Sequence, residues 1–348
     1  MCSSDLREKL TTRSYQERCQ CERTISYAIV YQITPYLSSR VCGMRYNIHR
    51  QMKVTDEELA RWAKAPSETE EDKSRATRDR VEKALKATFG DGIHVFLQGS
   101  YKNRTNVKRE SDIDIVVEYT GTYFHELHML SPEELQFYWS LHQPVTCPYN
   151  QFKDDVTKIL TAEFDTGEVE RKDKCIKIFR NGQRVHADVI PSFTHNCYAT
   201  ATIVAHKGIH FITDAGVDTF NYPEQHHANG EAKNVNTGGK YKDTVRILKN
   251  IKYDLVDAGT INEKDMPSYF IESLVWNLPN PLFERPLHSG ILRDVIVKIY
   301  EDMGDAAKAG AYKEIHGLRP LLIATGYTAQ QAQTFLEHVW RHIGFHEN

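Results

Sequence analysis

The stretch that most restricts how this chain can fold is FLQGSYKNRTNVKRESDIDIVVEY, Phe96 to Tyr119. An apolar run ends at Gln98-Gly99-Ser100, a basic loop follows, and the chain resumes with acids and apolar residues in alternation. A period of two reads as a strand. Asp112, Asp114, Val116 and Glu118 then share one face, and Ile113, Ile115, Val117 and Tyr119 share the other, which suits a core. The two aspartates stand about 7 Å apart along the strand. Carboxylates that close repel each other unless a cation lies between them. Hard divalent cations prefer carboxylate oxygen, and Mg²⁺ commonly takes one or two carboxylates plus substrate phosphates. The same spacing also occurs on exposed edge strands whose acids serve solubility, so the surroundings have to decide.

The surroundings favour a phosphate site. Gly99 allows close approach of backbone to a ligand, and Ser100 offers a hydroxyl and an N–H to a phosphate oxygen. Lys102, Arg104, Lys108 and Arg109 lie in the loop, and a third acid, Asp188, stands in a second alternating run, RVHADVIPSF. Two metal ions roughly 3.5–4 Å apart are the usual arrangement for in-line phosphoryl displacement, and a third carboxylate completes a ligand set. Asp112, Asp114 and Asp188 are therefore the expected metal ligands and catalytic residues, for two Mg²⁺ ions with Mn²⁺ as a substitute.

The rest of the chain sets limits. Its 348 residues suffice for one large domain or two lobes, and a net charge of −3 provides no basic field for long nucleic acid. Seven cysteines form no CxxC pair, and Cys19 and Cys21 are too close for a zinc pair, so reduced thiols in the cytoplasm are expected. No run is long and apolar enough to span a bilayer. Residues 1–43 are set apart as an N-terminal extension without an assigned role. Residues 54–235 read as a catalytic lobe: TDEELARWAK opens with a Thr/Asp cap signal, and a long helix near Glu68–Ala87, capped by Ser67 or Thr69, carries Ala76, Val81, Leu85 and Phe89 on a loose apolar stripe. Residues 236–348 read as a helical lobe. The stretch CIKIFRNGQRVHADVIPSF reads as a hairpin turning at Asn181-Gly182, and 213–240 as loop. Helices are expected over Tyr241–Ala258, Pro267–Asn277, Ile291–Met303, Ala306–Leu318 and Ala329–Gly344, the last burying Ala332, Phe335, Leu336 and Val339 at helical spacing with Trp340 beside them. The fold class is α+β, a small mixed sheet with helices at both ends.

Gly99-Ser100, Asp112-Ile113-Asp114 and a later strand aspartate resemble the polymerase-beta-like nucleotidyltransferases. APSETEEDKSRATRDRVEKAL, LQGSYKNRTNVKRESDIDIVV, ADVIPSF, NGEAKNVNTGGKYKDTVRILKNIK and MPSYFIESLVWNLPN, in that order, resemble the cGAS/DncV-like nucleotidyltransferases of bacterial CBASS anti-phage systems. The likeness runs from about Trp62 to Asn280. It implies that Asp112 and Asp114 bind both metal ions and that Asp188 shares the ion activating the attacking hydroxyl. It implies that Gln98, Gly99 and Ser100 hold the donor triphosphate, that Lys249 in RILKNIK binds triphosphate, and that Ser268 contacts phosphate and Tyr269 stacks on a base. Periodicity alone does not single out Lys249, since Lys252 lies deeper in the stripe of Val245, Leu248 and Val256.

The expected activity is template-independent joining of NTPs into a cyclic di- or trinucleotide second messenger read by a downstream effector. The chain is expected to act as a monomer, without membrane or long nucleic acid. The alternatives are transfer to RNA, protein or a small molecule, and a catalytically silent nucleotide sensor. Other features are weaker. His206, His210, His226 and His227 are placed in loops as a remote metal possibility. Arg184 and His186 either touch substrate or line the cleft, and Asn234 and Asn236 are candidate base readers.

Overall fold

The computed structural model describes residues 52–345 apart from 66, 111, 144–148 and 183; the 1–43 extension lies outside them. Helix α1 (Asp56–Trp62) starts at Thr55, whose hydroxyl accepts from the Glu58 N–H. Helix α2 (Glu68–Phe89) starts at Ser67, which accepts from the Glu70 N–H, and stops at Gly90. Val81 and Leu85 of α2 are buried, but Ala76, expected on the same stripe, is exposed. Ser74 and Thr77 take the buried face there by turning their hydroxyls onto the Glu70 and Lys73 carbonyls.

The sheet region follows: β1 (Ile93–Gln98), one helical turn α3 (Gly99–Lys102), β2 (Ile113–Glu126), α4 (Pro132–Leu141), α5 (Tyr149–Phe164), β3 (Val169–Arg171), β4 (Ile176–Ile178), β5 (Ala187–Thr200), β6 (Ile203–Ile212) and β7 (Asp218–Asn221). These seven strands form one sheet in the order β1-β2-β5-β4-β3, with β6 on the second half of β5 and β7 beyond it. Only the β2–β5 pairing is parallel among those described. The hairpin expected at Asn181-Gly182 is present, with β4 and β5 antiparallel and a bridge from Asn181 to Arg184. Ile113, Ile115 and Val117 are fully buried in one core with Val81 and Leu85 of α2 and Val156 and Leu160 of α5, as the alternation requires.

The remainder is helical: α6 (Pro223–Asn236), α7 (Lys240–Asp257), α8 (Ser268–Trp276), α9 (His288–Met303), α10 (Ala306–Ala311), α11 (Leu321–Thr325) and α12 (Ala329–Ile343). A second core joins α7, α8, α9 and α12 and takes in Val54, Leu59 and Ala63 from the N-terminal side. In α12 Ala332, Phe335, Leu336 and Val339 are buried at the expected spacing, with Trp340 packed beside them.

Two segments differ from the sequence reading. The expected loop over 213–240 is the end of a β-hairpin followed by α6, which Pro223 opens at its first turn, where a missing N–H costs nothing. The expected helix over Ala306–Leu318 stops at Ala311. Tyr312 turns inward to donate to Asp302 Oδ2 (2.9 Å), and Gly317, at φ 81°, closes a turn on the Glu314 carbonyl. That turn carries Glu314 and His316 to the site described next.

Candidate active site

One row of the sheet brings several of the expected site residues together. Gln98 pairs with Asp114 across β1 and β2, Asp114 with Asp188 across β2 and β5, and Asp188 with Lys177 across β5 and β4. Neighbouring strands lie about 4.8 Å apart, so the Asp114 and Asp188 carboxyls emerge side by side on one face. Asp112 precedes β2 and accepts from Lys177 Nζ at 2.7 Å.

Gly99 follows β1 at φ +67°, and a Cβ built there would lie 2.1 Å from Asp114 Oδ2. An L-residue is strained at that angle, and Asp114 leaves no room for a side chain. Gly99→Ala is therefore expected to push Asp114 out of line, lowering kcat by about 10²-fold and stability by about 1–2 kcal/mol. Steady-state kinetics and thermal melts check this; wild-type values in both would show that the loop yields freely.

The electrostatics are those of a crowded acidic centre. Desolvation by the surrounding protein, then the charges of Asp188, Asp112 and Glu110, push the Asp114 carboxyl up to about 7. Burial also raises Asp188, and the neighbouring Asp112 charge adds to it, against the opposing pull of Lys177. Asp188 Oδ1 is buried without a hydrogen-bond partner. The Cys175 thiol lies against the same carboxyl, and burial followed by the Asp188 charge pushes it up to about 12. An orphaned buried carboxylate oxygen, and a neighbouring acid raised by burial and then by nearby acids, are what a divalent cation would relieve. The three aspartates fit such ions, with hard oxygen donors on a rigid sheet.

Asp114 opens into a cavity of about 390 Å³. Gln98, Gly99, Ser100 and Asp114 line one side, and Lys249, Ser268 and Tyr269 from α7 and α8 also line it. Asp112 and Asp188 stand beside Asp114 rather than on the lining. Lys249 is buried, and its Nζ lies 3.0 Å from Glu110 Oε2. Glu110 also accepts from the Ser268 hydroxyl and from Tyr253 (3.2 Å). Helix α7 is buried around most of its circumference: twelve of its eighteen residues are buried, Lys252 included. Burial first, then the Glu314 charge, raises the Tyr269 phenol.

Sequence reasoning missed several lining residues. Glu110 sits just before the aspartate pair and reads as one more loop charge. His226, assigned to a loop, is on α6, with Nε2 3.0 Å from Glu272 Oε1 and 2.9 Å from Asn103 Nδ2. Burial would raise Glu272, but His226, Lys249 and Thr105 hold it below its usual range. Phe220, Tyr222, Glu314 and His316 complete this side. The other weak candidates serve structure. Arg184 donates to Glu168 and to the Phe179 carbonyl (2.8 Å), and His186 Nδ1 accepts from the Arg180 N–H. Asn234 Oδ1 accepts from the Lys242 N–H. His206 and His210 lie on β6, not in loops, and His210 pairs with Asp218 at 2.7 Å.

Known proteins share this fold. Residues 228–344 match the family model of the cGAS/DncV-like nucleotidyltransferase C-terminal helical domain. The chain is 37% identical over 295 residues to a cyclic dipurine nucleotide synthase of Elizabethkingia meningoseptica, covering 84% of this chain and all of that one. It is 32% identical over 298 residues to the cyclic dipyrimidine nucleotide synthase CdnE of Cecembia lonarensis, covering 84% and 99%. The structure of the Elizabethkingia CdnE cyclic dinucleotide synthase with GTP and Apcpp superposes with a TM-score of 0.71 at 37% identity, over 83% of this chain and 99% of that one. The Rhodothermus marinus CdnE c-UMP-AMP synthase with Apcpp and Upnpp gives 0.70 at 26%, over 83% and 97%. With 37% identity over the whole length of one relative, and the helical half matched by the family model, the chain belongs to the cGAS/DncV-like nucleotidyltransferases.

Proposed function

We propose that this protein joins two nucleoside triphosphates into a cyclic dinucleotide, releasing pyrophosphate at each of two transfers, as a second messenger for a downstream effector in CBASS anti-phage defence. The observation that carries this is the register of Asp114 beside Asp188, with Gly99 packed against Asp114, at a cavity that Lys249, Ser268 and Tyr269 also line. The relatives synthesise cyclic dinucleotides by name, and two were solved with nucleotides or their analogues.

In this reading residues 54–235 supply the acids and the Gln98-Gly99-Ser100 phosphate contacts, and residues 236–348 supply further phosphate contacts and the base contact. Asp112, Asp114 and Asp188 would hold two Mg²⁺ ions, with Mn²⁺ as a substitute; bound there, such ions supply Lewis acidity at the transferred phosphate and lower the hydroxyl pKa. Asp188, whose buried Oδ1 has no hydrogen-bond partner, would share the ion beside the attacking ribose hydroxyl and help accept the proton of that hydroxyl. Gly99 lets the Ser100 hydroxyl and N–H reach the triphosphate, beside Gln98. Lys249 exchanges its Glu110 partner for triphosphate charge, and Ser268, freed from the same carboxylate, donates to a phosphate oxygen. The Tyr269 ring stacks on a base, worth roughly 1–3 kcal/mol. No helix among the described residues is long and apolar enough to cross a membrane, which suits a cytoplasmic enzyme acting on free NTPs.

The test is incubation with an equal mixture of four labelled NTPs and Mg²⁺, followed by phosphatase and mass spectrometry. A phosphatase-resistant dinucleotide formed without added acceptor is expected. Label carried by RNA or protein instead would assign transfer to another acceptor, and binding without pyrophosphate release would assign a silent sensor. Lys249→Ala is expected to raise KM for NTP at least ~10-fold with a smaller change in kcat, as loss of a phosphate contact requires; an unchanged KM would remove Lys249 from the site.

A further inference from the structure

A second group of metal-binding side chains lies at the other end of β2. Glu126 is the last residue of that strand, and Cys197 is its direct partner on β5. His128 follows two residues after Glu126, with Nδ1 3.0 Å from Glu126 Oε1. One donor atom from each of the three lies within 4.8 Å of the others. Two of the three side chains are thus set by sheet register, before any ligand arrives.

We infer that Glu126, His128 and Cys197 form a binding site for a zinc-class transition-metal ion, separate from the aspartate row. The donor set decides the class. Thiolate sulfur, imidazole nitrogen and carboxylate oxygen suit Zn²⁺, whereas Mg²⁺ takes oxygen alone. Cys197 is buried and His128 exposed, so three protein ligands face a fourth position open to solvent. The second Glu126 oxygen is already oriented, with His195 Nε2 at 3.1 Å and the Tyr222 hydroxyl at 3.3 Å, as the outer shell of a metal site orients its ligands. Arg319 is the nearby opposing charge, its guanidinium stacked on the rings of Phe220 and Tyr222. The carboxylate and the thiolate, which releases its proton to solvent on binding, outweigh that single charge. Because Tyr222 also lines the catalytic cavity, an ion here would clamp the ends of β2 and β5 to that wall.

Cobalt substitution tests the site without relying on activity. Titration of the chelator-treated full chain with Co²⁺ is expected to give a near-ultraviolet sulfur-to-cobalt charge-transfer band, removed by Zn²⁺ but not by Mg²⁺. Cys197→Ser should abolish the band. Cys175→Ser, whose thiol lies against Asp188, and the combined replacement of Cys2, Cys19, Cys21, Cys42 and Cys147 by serine should each keep it. His128→Asn, an exposed change that leaves the core intact, should weaken Co²⁺ binding at least ~10-fold, and it decides the matter should Cys197→Ser fail to fold. Absence of the band in the parent chain, its survival in Cys197→Ser, or unaltered affinity in His128→Asn would overturn the inference.

Discussion

Replacing Asp112 and Asp114 together by asparagine is expected to lower kcat by at least ~10³-fold while the protein stays folded. The loss follows from charge: asparagine keeps the shape of each side chain but removes the carboxylates that would hold the cations. Cation stabilisation of a transferring phosphoryl group is worth several kcal/mol, and each 1.36 kcal/mol is about tenfold in rate. Folding survives because neither side chain contributes to the apolar core; that role belongs to Ile113, Ile115 and Val117 on the opposite face. The Lys177–Asp112 contact at 2.7 Å is lost, but this is a partly exposed pair of modest worth. Product formation by mass spectrometry and a far-ultraviolet spectrum measure both halves. Synthesis within tenfold of the parent would refute the assignment of the metal ligands.

How much of this was legible beforehand depended on how local the cause is. The face alternation of Ile113 to Val117, the cap signal at Thr55, and the periodic stripe of Ala332 to Val339 each arise within one segment, and each was readable from it; the cap of α2 was narrowed to Ser67 or Thr69, and Ser67 takes it. The apposition of Asp114 and Asp188 was legible only as two alternating runs; their parallel register depends on α4, α5 and the β3–β4 hairpin lying between them. The partnership of Glu110 with Lys249 joins residues 139 positions apart, and nothing local marks Glu110 among its charged neighbours. Lys249 itself was ambiguous because α7 is buried on nearly every side, so a helical period cannot single out the face toward a ligand. The early end of α10 follows from a tertiary bond, Tyr312 to Asp302, which overrides a run of alanines with high helix propensity. For the same reason His226, Glu314 and His316 were placed wrongly or passed over: their segments were assigned to the wrong structure.

The aspartate row should also make the metal-free protein less stable than its own asparagine variant, in a pH-dependent way. The Asp114 carboxyl is pushed up to about 7 in the folded chain from an ordinary 3.8. Between those values the native state holds a proton that the unfolded chain has released, so stability falls as pH rises through that window and the loss is complete above about 7. Part of the side chain faces the cavity, so the penalty at pH 8 is on the order of 2–4 kcal/mol. In EDTA, Asp114→Asn should therefore melt well above the parent at pH 8, and the gap should narrow toward pH 5 and close below the ordinary 3.8, where the unfolded chain takes up the proton as well. Comparing the two proteins at each pH cancels the histidines and other groups that titrate in both. Adding Mg²⁺ or Mn²⁺ at pH 8 should raise the parent's Tm, because binding to the native state alone stabilises it, and should move the variant much less. A parent and variant that melt together at both pH values in EDTA would mean that Asp114 carries no such penalty. The cause proposed for its crowding, a row of acids arranged to receive cations, would then have to be abandoned, even if the enzyme proved active.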